Sequence, residues 1–380
     1  MYKRTCHSSF AGPIEEIPGV YVDNFENAGK KMARAYFLSH YHQDHVQGLQ
    51  DISLLETLEK TKACIYTSEL TSVIINYEKK HPNLMKYVRA LKTGSSVITL
   101  PSTENYAETL LTVTLIHAGH CAGSTMFLFT LDSKKILYTG DFRTNTSDLP
   151  KYTALHENGA PIKLNALFID TTFIDVDYEY FPKRSECIDE LVFNVKKWLN
   201  RGELNAIAIH TSAKYGYEFV FNDIYKQLGV KVYVDEGIWR LYSTIPKLVP
   251  GVTNNLNETR IHLCTNKNER TTHKLCIGDE GKKFLYIHLS AMKWYQLSEN
   301  SSSVNFVTPS RLDVCFATHC SRKEIYDFVK YLSPRKIVGF PNRYVELADK
   351  KTSELKFERD IKKRRVDEKV DENLLRAMMD

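Results

Sequence analysis

The sequence contains no apolar run near the ~18 residues that a membrane-spanning helix needs, so no membrane partner is expected. Residues 1–10 carry Lys3 and Arg4 but no apolar core behind them, which argues against a secretory leader. There is no internal repeat and no low-complexity tract, which excludes solenoids and fibrous arrays. Cysteine is sparse: eight residues, at 6, 64, 121, 187, 264, 276, 315 and 320, are scattered through the chain. That spacing excludes a compact disulfide framework and leaves reduced thiols or metal ligands. Charge of one sign is also lacking. Lys and Arg number 51 against 46 Asp and Glu, a net +5, which is a mild lean toward polyanions.

What remains is a globular composition, 43% hydrophobic and 26% charged over 380 residues, enough for two domains with real cores. Short β-rich runs alternate with helical patterns in the first half. Ala35–Ser39 reads as a buried strand, Thr112–Ile116 as another, and Met126–Thr130 and Lys135–Tyr138 bracket a hairpin turn at Asp132-Ser133. Ala166–Ile169 is a further strand. Ser185–Leu199 has helical periodicity, with Ser185 as its expected N-cap. Residues 206–234 predict strand, helix, strand. Residues 296–310 predict a polar loop, and 322–332 a helix.

The chemistry is concentrated in His40-Tyr-His42-Gln-Asp44-His45, which follows the strand at 35–39 directly. Four metal-capable side chains within six residues can converge where a strand empties into a tight loop. Imidazole and carboxylate donors suit zinc and similar divalent ions. His120, in a Gly-rich turn after a strand, and Asp141, after Gly140 at another strand end, extend the set. His40, His42 and His120 predict one site. Asp44 and His45 predict a second, with Asp141 between the two.

This order of motifs resembles the metallo-β-lactamase superfamily. The longer strings Ala33–His40, Leu137–Arg143, Ile169–Phe173 and Tyr215–Glu218 resemble its β-CASP branch, in particular the Artemis-like DNA nucleases. The resemblance implies an α/β fold, an αββα metallo-β-lactamase sandwich with an inserted β-CASP domain. It places the first domain at 1–171 plus 316–350, the β-CASP domain at 172–315, and a charged tail at 351–380. It implies catalytic roles for Asp44, Asp170 and His319, with Asp170 orienting a ligand histidine and His319 facing the second ion or the scissile phosphate.

It further implies one or two zinc ions, with Mg²⁺ or Mn²⁺ as alternatives for activity. Ser124, Lys214, Tyr215 and Lys293 become candidate DNA contacts. His262, Cys264 and Cys276 match three of the four ligands of a structural zinc site, while Tyr233 stands where the family has a histidine. His273 is the nearest candidate to complete it. Val338 fits the DNA-acting pattern. The implied substrates are DNA ends, hairpins and overhangs in end joining and crosslink repair. The implied partners are a DNA-dependent protein kinase and end-joining factors, and the implied address is the nucleus, to which the basic run Lys362–Arg365 could direct import. An RNA-processing relative and a non-cutting DNA-end binder remain the alternatives.

Overall fold

The computed structural model describes residues 8–31, 33–264 and 281–346. Cys276, His273 and the run Lys362–Arg365 lie outside the described residues. Among the described residues, the strands form three main sheets and one small ribbon. No helix there is long and apolar enough to cross a membrane.

The first sheet is parallel, in the order Val20–Val22, Ala35–Leu38, Cys64–Ser68, Val88–Leu91. The strand Ala35–Leu38 is apolar and buried on both faces, and the period-two alternation divides its side chains. Ala35 and Phe37 join a core with Val113, Phe127, Phe129 and Ile136 of the second sheet. Tyr36 and Leu38 point the other way, onto Leu54 and Leu58 of the helix Ile52–Thr61. The second sheet begins as an antiparallel meander, Gly94–Leu100, Thr109–His117, Thr125–Leu131 and Lys134–Tyr138. The expected turn at Asp132-Ser133 lies between the last two, with Asp132 at φ 52°. Two parallel strands, Ala166–Asp170 and then Ile337–Phe340, complete it. The two sheets stack face to face with helices outside, which is the αββα sandwich.

The third sheet is built from residues 205–315. Its order is Val252–Thr253, Val232–Tyr233, Ile261–Cys264, Asn205–His210, Lys283–Ser290, Arg311–Cys315, Val304–Thr308. All neighbours are parallel except the last, an antiparallel edge. Ile207 and Ile209 bury one face against Leu191, Val195, Val220 and Ile224 of the helices Arg184–Leu199 and Glu218–Leu228. Ala206 and Ala208 lie on the opposite face with Phe284.

Two local expectations need correction. Residues 304–308 are a strand, not loop; the Ser-rich stretch before them hides an edge strand whose side chains are mostly exposed. Ser185 is not the N-cap of its helix. The cap is Lys183, whose backbone N–H donates to the Glu186 carboxylate at 3.2 Å, so the helix starts before the serine. Val338 packs against the sandwich core and sits beside Phe168 in register.

Candidate metal centre

The loop leaving Leu38 delivers His40, His42, Asp44 and His45 to the mouth of the sandwich. Asp141 follows the strand Lys134–Tyr138, and Gly140 brings it close. A Cβ on Gly140, at φ 54°, would lie 2.7 Å from Ser39 Oγ, so this approach needs glycine. His120 arrives on the turn after Thr109–His117. Asp170 ends its own strand, and His319 lies just ahead of the helix Arg322–Leu332. All eight residues meet in one place.

The hydrogen bonds behind the histidines decide which nitrogens face inward. His42 Nε2–H donates to the Tyr215 carbonyl at 3.1 Å, and His120 Nδ1–H donates to the Thr318 carbonyl at 2.9 Å. His42 Nδ1 and His120 Nε2 are then both bare acceptors, yet they lie 2.9 Å apart. Two lone pairs at that distance repel unless a cation stands between them. His40 repeats the pattern. Ser39 Oγ donates to Asp23 at 2.6 Å, so His40 Nδ1–H must donate to Ser39 Oγ at 2.9 Å. His40 Nε2 is left buried with no hydrogen-bond partner, aimed at the cluster 3.5 Å from Asp141. Burial, reinforced by neighbouring imidazoles, pushes His40 and His120 well below the usual histidine range, and burial lowers His42 as well. All three therefore present neutral rings, the form that binds metal.

The second group is set by carboxylates instead. His45 Nδ1–H donates to Asp23 at 2.8 Å, and its Nε2 faces Asp141 at 3.2 Å and Asp44 at 3.4 Å. Burial works to lower His45, but the Asp141 and Asp23 carboxylates outweigh it and raise it well above the usual range. Burial works to raise Asp44, but the His45 hydrogen bond and charge hold it at about 2. The donor atoms of Asp44, His45 and Asp141 lie within 4.8 Å of one another, as do those of His40, His42 and His120. These residues fit divalent ions, with Asp141 within reach of both groups.

Asp170 orients a histidine, and that histidine is His319. Its Oδ2 accepts from His319 Nδ1 at 2.7 Å, while Thr172 donates to Oδ1 through its N–H and hydroxyl. His319 Nε2 is turned inward, 3.9 Å from Asp141.

The expected DNA contacts separate. Lys214 is exposed and lines the cleft of about 630 Å³ in front of the metal donors, where it pairs with Glu78. Tyr215 is buried, and its hydroxyl also donates to Glu78, so it is a structural residue and not an open stacking platform. Ser124 is consumed inside its own turn: Oγ donates to the Cys121 carbonyl at 2.8 Å and accepts from the His120 and Cys121 N–H groups. Lys293 pairs with Asp313 at 3.5 Å on the third sheet and does not line the cleft. His262 and Cys264 share the strand Ile261–Cys264, where Tyr233 sits beside His262 in register. His262 Nε2 is buried without a hydrogen-bond partner.

Sequence reasoning missed Asp23, the acceptor for His45, Tyr138 and Ser39 together. It also missed Arg143, buried between the lobes, whose guanidinium donates to the carbonyls of Ala317, Phe181 and Pro182. Asp23 carries one signal: an acidic residue closing the strand next to the one that feeds the histidine loop.

Comparison with known proteins bears on this centre. Residues 246–342 match the family described as DNA repair metallo-beta-lactamase, and residues 24–161 match the anti-Pycsar protein Apyc1 family. Protein artemis from Rattus norvegicus is 32% identical over 348 residues, covering 88% of this chain and 49% of that one. Protein artemis from Homo sapiens is 31% identical over 347 residues, with the same coverage. DNA cross-link repair 1A protein from Mus musculus is 27% identical over 356 residues, covering 90% of this chain and 31% of the relative. The chain thus spans about half the length of the artemis proteins it matches. A protein of unknown function from Enterococcus faecalis V583 shares the fold, with a TM-score of 0.50 at 15% identity over 80% of this chain and 75% of that one. The sandwich and its convergent donors agree with these matches: over 88% of its length the chain is similar to the artemis proteins, and its residues 246–342 to the DNA repair metallo-beta-lactamase family.

Proposed function

We propose that this chain is a metal-dependent DNA nuclease that hydrolyses phosphodiesters at DNA ends. Its activities would be 5′ exonuclease cleavage and structure-selective endonuclease cleavage of hairpins and overhangs. The setting would be non-homologous end joining in the nucleus, with interstrand crosslink repair as a second role, and a DNA-dependent protein kinase and end-joining factors as partners. The observation that carries the reading is the acceptor–acceptor contact of His42 and His120 beside the orphaned His40 nitrogen, which calls for a cation. The names of the relatives, artemis and DNA cross-link repair 1A, support DNA as the substrate.

His40, His42 and His120 would hold one ion and Asp44 and His45 a second, with Asp141 shared; zinc suits these donors, and Mg²⁺ or Mn²⁺ could support activity. When bound, such ions make water a nucleophile at neutral pH and neutralise the charge on the phosphate. The protein's own residues do the rest. Asp44, held ionised by the His45 hydrogen bond and charge, would orient the attacking water. His319 keeps its proton up to about 9, because the Asp170 and Asp141 charges outweigh the effect of burial. Its inward Nε2–H can be handed to the leaving oxygen. Lys214 borders the cleft and would meet backbone phosphate. In the same reading, His262, Cys264 and Cys276 would hold a structural zinc.

Time courses on labelled DNA hairpins, overhangs and matched RNA, with His42→Ala and Asp44→Ala as controls, test the proposal. Cleavage of DNA that both substitutions abolish is expected. Degradation of RNA with DNA left intact, or activity surviving either substitution, would overturn it.

A further inference from the structure

Cys121 is placed against the three-histidine group, and the chemistry above leaves it unused. Its Sγ and the inward nitrogens of His40, His42 and His120 all lie within 4.8 Å of one another. The position is built. Ser124 Oγ fixes the backbone of Cys121 from both sides, accepting from its N–H and donating to its carbonyl. The backbone of Gly216, at φ 110°, closes over it, and a Cβ there would stand 3.3 Å from Cys121 Cβ and 3.9 Å from His42 Cε1. The orphaned nitrogen of fully buried His40 points to a ligand at this spot independently of the thiol.

Three imidazoles with one open position are the arrangement of a catalytic ion, and a fourth protein donor gives a closed tetrahedral site. Two donors here compete for the fourth place. Asp141 offers a hard oxygen 3.5 Å from His40 Nε2, and Cys121 offers a soft sulfur. Hard ions such as Mg²⁺ and Mn²⁺ select the carboxylate, and soft ions select the thiolate.

We propose that Cys121 is a fourth ligand of the His40–His42–His120 group for thiophilic ions, and that its recruitment closes the site. Coordination forms one metal–sulfur bond and releases the thiol proton to buffer. Zinc or cadmium in excess is then held in a four-donor cage with no place for water, while Mn²⁺ leaves Cys121 aside. Cys121 thereby sets which metal makes a working centre and which makes an inert one. The inference rests on the metal-centre reading above.

The test is titration of the metal-stripped full chain with Cd²⁺, reading thiolate-to-cadmium charge-transfer absorbance and bound metal by mass spectrometry. Comparison with variants removes the contribution of the other cysteines. The expected result is a wild-type band that Cys121→Ser and Cys121→Ala both diminish by the contribution of one thiolate, leaving only what other cysteines supply, while the histidine group still binds the ion. Cd²⁺, and not Mn²⁺, should also protect Cys121 of the wild type from alkylation, a measurement that needs no variant. An unchanged band in both variants, or alkylation of Cys121 at the same rate with and without Cd²⁺, would overturn the proposal and leave the metal centre standing. Equal Cd²⁺ stoichiometry in the wild type and His42→Ala would remove the metal-centre reading and the proposal with it.

Discussion

The Asp23 carboxylate holds Nδ1 of His45 at 2.8 Å, and both side chains are wholly buried. Asp23 adopts φ 52°, a left-handed conformation that asparagine tolerates and alanine does not. Asp23→Asn should therefore keep the backbone and lose the charge that sets the His45 tautomer. Metal affinity at the Asp44–His45 group should fall about 10–100-fold. Isothermal titration of the metal-stripped protein checks this, and wild-type affinity in the variant would refute it.

The Asp170–His319 pair makes a pH prediction. His319 is raised to about 9, with burial opposing and the Asp170 and Asp141 charges prevailing. A folded-state pKa above the unfolded 6.5 gives stability that is complete below 6.5 and lost as pH rises through about 9. Metal-stripped protein should lose stability across that window, at no more than about 1.4 kcal/mol per pH unit per group. Asp170→Asn should flatten the loss, as read by urea unfolding at a series of pH values. In the active enzyme the same substitution should move the basic limb of the pH–rate profile downward.

Lys214 should act as a phosphate contact. Replacing it with alanine should weaken binding to all DNA sequences alike and reduce the salt slope by about 1. Glu78→Gln, which removes its partner carboxylate, should strengthen binding. Fluorescence anisotropy across a salt series measures both, and a salt slope unaffected by Lys214→Ala would count against the contact.

Arg143 is buried, pairs with Glu324 at 3.5 Å and donates to three carbonyls from two segments. Arg143→Met leaves those carbonyls unpaired. The expected loss is about 2–3 kcal/mol of stability, visible as a lowered denaturation midpoint.

The candidate metal donors were legible because the sequence packs four of them into one short loop after an apolar strand. Asp23 was not, because it lies 17 positions before His40 and an isolated aspartate after a strand reads as a turn. Five sandwich strands were legible from their apolar runs, whereas Val20–Val22, Cys64–Ser68, Val88–Leu91, Gly94–Leu100 and Ile337–Phe340 were not, being short or interrupted by polar residues. The edge strand at 304–308 was not, because an exposed edge is composed like a loop. The helix Glu236–Tyr242 also escaped notice, although Asp235 caps it by accepting from Ile238 N–H at 3.0 Å. Tyr215 shows the limit of reading residue types. An aromatic beside a lysine suggests a base-stacking pair, and only the fold reveals that its ring is buried and its carbonyl positions His42.

The chain leaves the sandwich at Asp170, builds the whole third sheet, and returns at His319, where it touches its point of departure. The excursion is thus cinched at its base by a charged pair that also faces the metal donors. A third sheet that swung with its helices as a rigid body would pivot about this knot and leave it tied, whereas one that unravelled would untie it. The ring nitrogens of His319, followed by NMR, would therefore tell a hinge motion from local unfolding in the same molecule.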